Sequence, residues 1–432
     1  MAMVVKNNMS ALSTLNTLNK NTKALSKSLQ KVSSGMKINS AADDASGYAI
    51  SERMRVQIRS LDQANSNAQN GGSMMKVAEG AVSSTVEILK TLKEKAVNAA
   101  NDTNTDADRQ TIQKELDQSI DQINDNANVT FNGQYLVDGS KNSKTTVTCT
   151  AMTNQSLSTA TKSSTALTNL AARNGDSLNI RATDKVTVSW VKDGKTYTSS
   201  MEIKDSTTLG TALKLCGDID VKGEANSFIA LDGSKNSVYT ASGESGVTIS
   251  AKGTGINGQI SGFTISITDN TGAVRKSANA ALDAFDETLR AQNVSDDNSV
   301  NLQIGTKANQ TIKVGLTDMK AQALGLQGKD NSTLQVGNQE QANAAINVLD
   351  SAIQKALDQQ TTIGAVQSRL EYTQSNLTTA SENVTAAEST IRDADMAKEM
   401  TEYTKNNVLM QAAQSMLAQA NQSSSNVLSL LQ

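Results

Sequence analysis

Asp102, Asn104, Asp106 and Asp108 place oxygen-bearing side chains at positions one, three, five and seven of a short segment, the alternation with which a calcium loop presents its ligands. The pattern stops there. Position six is Ala107, where the sharp turn requires glycine, and position twelve is Gln113, where a bidentate carboxylate belongs. These residues therefore read as the cap of a following helix, with Asp106 or Asp108 near its N-cap. Asp43 and Asp44 are sequence neighbours rather than facing carboxylates, and they read as helix capping instead of a catalytic acid pair. Asp393-Ala-Asp395 reads as part of a helix, where residues two apart diverge, so a solvated or intersubunit face is expected rather than a shared cation. Ser and Lys are abundant, but no Gly-x-Ser-x-Gly elbow accompanies them. The chain of 432 residues has no His, which removes Ser-His-Asp and Cys-His catalysis and every His-containing metal site. No enzyme activity, metal or cofactor is expected.

The elements that must carry function are helices. Pro is absent, whereas average usage of about 5% would give roughly twenty residues in this length, and a chain without proline favours long helices. Cys149 and Cys216 are too few for a disulfide framework. The net charge is −3 without a strongly basic block, so no nucleic-acid partner is expected. No run of eighteen apolar residues occurs, so no membrane insertion is expected, and Met1 to Ser10 lack the regions of a secretory signal. Any export would use a route without a cleaved signal peptide.

Glycine marks the architecture. Only Gly35 and Gly47 fall in the first seventy residues, none follows Gly364, and thirteen of the twenty-six lie between Gly175 and Gly272. Near the N-terminus Val4, Asn8, Ala11, Leu15, Leu18, Thr22, Leu25, Leu29, Val32 and Met36 step by four and three, the rhythm of a coiled-coil seam along a helix of about 50 Å. A second run from Leu61 through Met75, Val82, Leu89 and Leu92 to Ala99 continues the rhythm, and a shorter helix carries Ile112, Leu116, Ile120 and Ile123. Towards the C-terminus Ile363, Val366, Leu370, Thr373, Leu377, Ala380, Val384, Ala387, Ile391 and Ala394 form an equal seam, which Val408, Ala412, Ser415 and Gln419 extend to Leu428, Leu430 and Leu431. The fold class is therefore mainly α: a folded-back rod of long coiled-coil helices from both termini, with a β-rich, α+β domain inserted at about residues 146–277.

In the insertion, Val186, Val188 and Trp190 alternate with polar residues before Asp193-Gly194, a type I′ turn signal, and Tyr197. Val247, Ile249 and Ala251, then Phe263, Ile265 and Ile267, repeat the alternation, and a further hairpin is expected around Leu302, Ile304, Ile312, Val314 and Leu316. Trp190 and Tyr197 could stack on sugar in an adhesin-like module, but a core role is the expectation. The outermost helices carry many Asn, Gln and Ser positions, and a two-helix hairpin of that composition buries too little apolar surface to offset ordering entropy. Apolar stripes at both ends of one chain can make head-to-tail contacts that do not close, the geometry of a helical polymer.

The segment Leu29-Gln-Lys-Val-Ser-Ser-Gly-Met-Lys-Ile-Asn-Ser-Ala-Ala-Asp-Asp-Ala-Ser-Gly-Tyr-Ala-Ile50 resembles the N-terminal signature of bacterial flagellin. Ile391-Arg-Asp-Ala-Asp-Met-Ala397, Ala418-Gln-Ala-Asn-Gln422 and Val427-Leu-Ser-Leu-Leu431 resemble its C-terminal one. The likeness spans about 145 residues at one end and about 150 at the other, while the insertion resembles no family. It implies a subunit of the extracellular flagellar filament used in swimming. Residues 1–44 and 390–432 would form an inner tube, residues 45–145 and 278–389 a helical shell with a β-hairpin, and residues 146–277 a variable surface domain. Inner-tube assembly would fall to Leu15, Leu18, Leu25, Leu29, Val32, Val408, Leu417, Val427, Leu428, Leu430 and Leu431. The implied partners are other copies of the chain, a flagellar export chaperone, and the cap and hook-junction proteins, with passage through type III export as an unfolded chain.

The resemblance has departures. The family usually has Pro after Ala-Asn-Gln and a terminal Arg, where this chain has Ser at 423–425 and Gln432. The family stretch recognised by Toll-like receptor 5 typically reads Leu-Gln-Arg-Val-Arg-Glu-Leu-Ala-Val-Gln. Here the corresponding residues are Leu89, Lys90, Thr91, Leu92, Lys93, Glu94 and Lys95, followed by Ala-Val-Asn98, with Glu115 matching the acidic position of the next helix. Thr91 cannot make the planar contacts of arginine and Lys95 puts a charge at an apolar position, so weak recognition is expected. The hook-filament junction protein of the same family is the alternative reading. A zinc protease in the insertion, as some members carry, would need His-Glu-x-x-His.

Overall fold

The computed structural model describes residues 8–221, 228–240 and 243–430, apart from the side chains of residue 424 and residues 426–430. In chain order its helices are α1 (Met9–Ser34), α2 (Ala45–Ala99), α3 (Asp106–Ala127), the short α4 (Leu209–Leu213), α5 (Lys276–Leu282) and α6 (Ala321–Leu324), then α7 (Gln339–Arg392) and α8 (Met396–Leu430). The chain forms two compact units: Met1–Ala68, Gln303–Gln310 and Tyr372–Gln432 make one, and Gln69–Leu302 with Thr311–Glu371 the other. Helix breaks at 35–44 and 393–395 fall beside the expected domain boundaries, whereas the compact units part at 68/69 and 371/372, inside the continuous helices α2 and α7.

In the first unit a joint fixes where α1 ends and α8 begins. Gly35 closes α1 in the left-handed conformation (φ 71°), where a Cβ would be strained, and its amide returns to the Lys31 carbonyl. The next residues form a short antiparallel bridge with the end of α7: the Lys37 amide donates to the Arg392 carbonyl at 2.7 Å and the Ala394 amide to the Gly35 carbonyl at 2.9 Å. Arg392 itself is buried, with its guanidinium donating to Glu52 (2.6 Å), Ser51 (3.4 Å) and the Met36 sulfur (3.3 Å) and lying 5.4 Å from the centre of the Tyr48 ring. The bond to Arg392 holds the Glu52 carboxyl below the usual carboxylate range. Asp43 accepts from the Asn39 and Ser40 amides, and Asp44 accepts from Ser46 and Gly47 as the cap of α2. A Cβ on Gly47 would lie 2.7 Å from the buried Ile38 side chain, so only glycine fits there. Asp393 and Asp395 depart from the expectation of a continuous helix: α7 stops at Arg392, Asp393 accepts from Ser389, and Asp395 caps α8 through Ala397 and Lys398. Beyond the joint, Leu61, Ala64 and Leu377 form a small cluster.

In the second unit the predicted seam residues of α2 from Gly71 to Ala99 are all buried, as are Leu116, Ile120 and Ile123 of α3. Thr105, rather than Asp106 or Asp108, is the N-cap of α3, and Asp108 answers it in a capping box. In α7, Ile363 and Leu370 of the predicted seam are buried and Val366 is half-buried.

The remaining residues of this unit form sheets. β1 (Thr130–Phe131) and β2 (Gln134–Tyr135) pair as a small hairpin, followed by β3 (Ala151–Asn154), β4 (Lys185–Lys192), β5 (Lys195–Glu202), β6 (Ile219–Val221), β7 (Phe228–Leu231), β8 (Ser237–Tyr239), β9 (Val247–Ala251), β10 (Ile260–Thr268) and β11 (Phe285–Leu289). One sheet has the order β10-β4-β5 and the other β11-β3-β9-β6, with β7 and β8 paired separately. The predicted type I′ turn joins β4 to β5, with Asp193 and Gly194 both at positive φ (52° and 71°) and Lys192 opposite Lys195. Val186, Val188, Phe263, Ile265 and Ile267 point into a core shared with Leu209 and Leu213 of α4 and Ala278 and Leu282 of α5. The expected later hairpin is present as β12 (Val300–Gln303) with β13 (Thr311–Val314), and Leu302 packs so close to Gly71 that a Cβ there would meet it.

Two expectations follow from these contacts. Arg392→Ala in the full chain should speed amide exchange at Lys37 and Ala394 by about tenfold or more, because both amides lean on the segment that the guanidinium holds; unchanged exchange would show that the bridge stands without it. Asp283, at the end of α5, accepts from the Ile265 amide at 3.2 Å, and burial raises its pKa to about 6. A raised carboxyl pKa means the folded state holds the proton more tightly than the unfolded one. Its contribution is full below about pH 4 and lost as pH rises to about 6, by up to about 3 kcal/mol. Asp283→Asn should accordingly gain stability over the parent at pH 7 and much less at pH 4 in denaturant titrations; an equal difference at both pH values would rule out titration of Asp283 as the cause.

Candidate self-assembly surface

α1 and α8 lie side by side in the first unit, and a polar clasp runs between them. Asn8 donates to the Ala420 carbonyl (3.2 Å), Asn21 to the Leu409 carbonyl (3.2 Å), Asn406 to the Ser28 hydroxyl (3.1 Å), and Lys31 pairs with Glu399 (3.2 Å). These bonds read register, because a shift of one residue would part each side chain from its acceptor. They bury little apolar surface. Among the described residues of the two helices only Ser28 and Ala413 are buried.

The seam departs from the sequence expectation in a regular way. The α1 residues least exposed to solvent are Ala11, Thr14, Leu18, Asn21, Leu25, Ser28 and Val32, with Ala24 and Lys31 beside them, so Ala11, Leu18, Leu25 and Val32 fall where expected. Thr14, Asn21 and Ser28 alternate with them instead of Leu15, Thr22 and Leu29, which are exposed. The same holds on α8, where Tyr403, Asn406, Met410, Ala413, Leu417 and Ala420 face inwards and Val408, Ala412, Ser415 and Gln419 face out. The break at residues 393–395 resets the helical phase, so the heptad of α7 does not carry into α8. A heptad locates a stripe to within one position on either side, and the polar clasp decides which side faces the partner helix.

The outcome is a set of exposed apolar side chains on both helices. Met9, Leu12, Leu15 and Leu29 on α1, and Met396, Met400, Val408, Leu409 and Met416 on α8, are each between 42% and 69% exposed. Met9, Leu12, Leu15 and Leu417 line an open groove of about 670 Å³. Of the remaining residues predicted for assembly, Val427, Leu428 and Leu430 have side chains outside the described ones, and Leu431 lies outside the described residues altogether.

The stretch predicted for receptor recognition lies on α2 in the second unit. Leu89 and Leu92 are buried in the core, leaving the polar positions to the surface. Lys90 pairs with Glu87 (2.7 Å), Lys93 with Asp350 (2.5 Å), and Thr91 and Glu94 are exposed. Lys95 pairs with Glu115 at 3.0 Å, joining the two positions singled out in the sequence.

The other candidates resolve into structural roles. Asp102 and Asp106 flank the Arg109 guanidinium (3.6 and 3.4 Å), which also donates to the Ala99 and Asn101 carbonyls, and Asn104 bonds to Asn98. Gln113, at the twelfth position of the calcium-like string, clamps the backbone of Leu334 and Val336 at 2.8 Å each. Arg109, at the eighth position of the same string, is the cation that the acids surround, in the first turn of α3. Trp190 is buried in the insertion core with Tyr197 stacked on it at 5.7 Å and Asp218 at its indole nitrogen, so it is a core residue. Burial raises the Cys216 thiol to about 12, and Cys149 is half-buried and unbonded to it. No described helix is long and apolar enough to cross a membrane.

Comparison with known proteins places both ends of the chain in one family. Residues 5–142 match the family model of the bacterial flagellin N-terminal helical region, and residues 346–431 match that of the C-terminal helical region. A flagellin of Clostridium tyrobutyricum is 36% identical over 97% of this chain and 99% of its own length. A flagellin of Bacillus subtilis (strain 168) is 32% identical over 99% of this chain and 100% of its own. A flagellar filament 33 kDa core protein of Treponema phagedenis is 30% identical over 99% and 100% respectively. The chain is a member of the bacterial flagellin family.

Proposed function

We propose that this chain is the structural subunit of a bacterial flagellar filament, which it builds by self-assembly through α1 and α8. The observation that carries the reading is the set of exposed Leu, Met and Val side chains on two helices that fully bury almost none of their residues within the chain. Each such side chain is about half exposed, so burying the rest of it against a neighbouring copy is worth about 1 kcal/mol, a gain the single chain forgoes. The contact is between different patches, so it propagates rather than closes. In this reading residues 1–44 and 390–432 form the inner tube, with Leu15, Leu29 and Val408 turned to neighbours and Leu18, Leu25, Val32 and Leu417 holding the hairpin together. The resemblance assigns Val427, Leu428, Leu430 and Leu431 to the same tube. Residues 45–145 and 278–389 form the shell, and residues 146–277 project from it. The filament would serve swimming, and subunits would reach it unfolded through type III export with a chaperone on the C-terminal helix and cap and hook-junction proteins at its ends. Relatives named flagellin along their whole length favour a filament subunit over the hook-filament junction protein.

Recognition by Toll-like receptor 5 would be weak. Thr91 offers no guanidinium, Leu89 and Leu92 are taken up by the core, and Lys95 already holds the Glu115 carboxylate.

Seeding tests the main reading. Purified chain added to sheared filament fragments should elongate them, and a chain lacking residues 390–432 should stay soluble and fail to add. Leu15→Glu with Leu29→Glu should slow elongation by at least about tenfold while leaving circular dichroism unchanged, because both side chains are exposed in the single chain; elongation at the parent rate would place the contact elsewhere. In a receptor reporter cell the monomer should signal only well above nanomolar concentrations, and a potent response would contradict the weak-recognition reading.

A further inference from the structure

Methionine is distributed unevenly over this molecule. Met74, Met75, Met152 and Met319 are buried in the second unit, each at most 8% exposed. On the terminal helices four are exposed, Met9 at 69%, Met416 at 62%, Met400 at 46% and Met396 at 42%, while Met410 is half-buried on the inner side of α8. The four exposed ones share the two helices with the exposed Leu12, Leu15, Leu29, Val408 and Leu409, and Met9 lines the groove with Leu12, Leu15 and Leu417.

Thioethers differ from the leucines beside them in one chemical respect. A peroxide transfers one oxygen atom to the sulfur, the thioether loses two electrons and becomes a sulfoxide, and hydrogen peroxide leaves as water. The product is polar and strongly hydrogen-bonding where the reactant was apolar and pliable. Burying it without a donor costs free energy at the very surface that must be dehydrated for association.

We propose that Met9, Met396, Met400 and Met416 are sites of reversible oxidation that switch the unassembled chain out of polymer growth, with peroxide as the oxidant. This rests on self-assembly through α1 and α8. Exposure makes the four sulfurs reactive in the free chain, and the same exposed position makes their polarity decisive for docking. The four core methionines, shielded from peroxide, serve as an internal reference within each molecule.

The test uses full-length chain, dilute hydrogen peroxide and filament seeds. Peptide mass spectrometry should find sulfoxide at Met9, Met396, Met400 and Met416 while Met74, Met75, Met152 and Met319 remain thioethers. The oxidised chain should elongate seeds at least about tenfold more slowly than untreated chain. Treatment with methionine sulfoxide reductases, which act on both epimers, should restore the rate. The variant M9L/M396L/M400L/M416L keeps volume and apolarity at each position and should elongate after peroxide as it does before. Elongation unaffected by oxidation of all four, or not restored by the reductases, overturns the proposal; so does a variant that remains sensitive to peroxide. Should the variant fail to elongate even before treatment, the parent chain with and without reductase decides alone. Untreated parent chain that does not extend seeds would instead overturn the filament reading, and this proposal with it.

Discussion

Two helices that meet through asparagine, serine and threonine satisfy each other's hydrogen bonds without removing much hydrocarbon from water, and the rest of this protein's behaviour depends on that constraint. Asn21 to the Leu409 carbonyl, Asn406 to Ser28 and Lys31 to Glu399 fix the register of α1 against α8 but contribute little of the apolar burial that drives folding. Leu15, Leu29, Val408 and Met416 remain outside. A hairpin of this kind is specific in geometry and gains little from apolar burial within the single chain.

The second unit is built on the opposite principle. The α2 seam from Gly71 to Ala99, the α3 residues Leu116, Ile120 and Ile123, and the insertion core around Val188, Phe263 and Ile265 are all closed to solvent. Such a unit can fold within one chain and does not wait for copies of itself. The contrast is between a unit closed around its own core and a pair of helices that leave apolar side chains exposed.

The joint at Gly35 to Asp44 and Arg392 to Asp395 shows why the two family signatures resemble each other so little in composition yet belong together. Gly35 reverses the chain, Gly47 makes room for Ile38, Asp44 and Asp395 cap the helices that leave, and Arg392 binds the first signature to the second through Glu52, Ser51 and Met36. None of these residues does chemistry. Each carries a turn, a cap or a charge that a helix junction needs, which is the physical content of two motifs that read, in isolation, like clustered acids.

The sequence by itself determined the helical ends, the heptad rhythm, the β-rich insertion, the Asp193-Gly194 hairpin and the flagellin family, because each is encoded in local periodicity, turn chemistry or motif. It left β3 unseen, since all four residues of Ala151–Asn154 are buried and a strand buried on both faces shows no alternation. Only the tertiary structure decided which side of each terminal stripe is inner and which outer. Ala11, Leu18, Leu25 and Val32 belong to both possible seams, and a seven-residue repeat cannot choose between Leu15 and Thr14, or Leu29 and Ser28, as the alternate position. That choice was made by hydrogen-bond partners some four hundred residues away, Ala420 for Asn8 and Leu409 for Asn21, and it is what leaves Leu15 and Leu29 exposed.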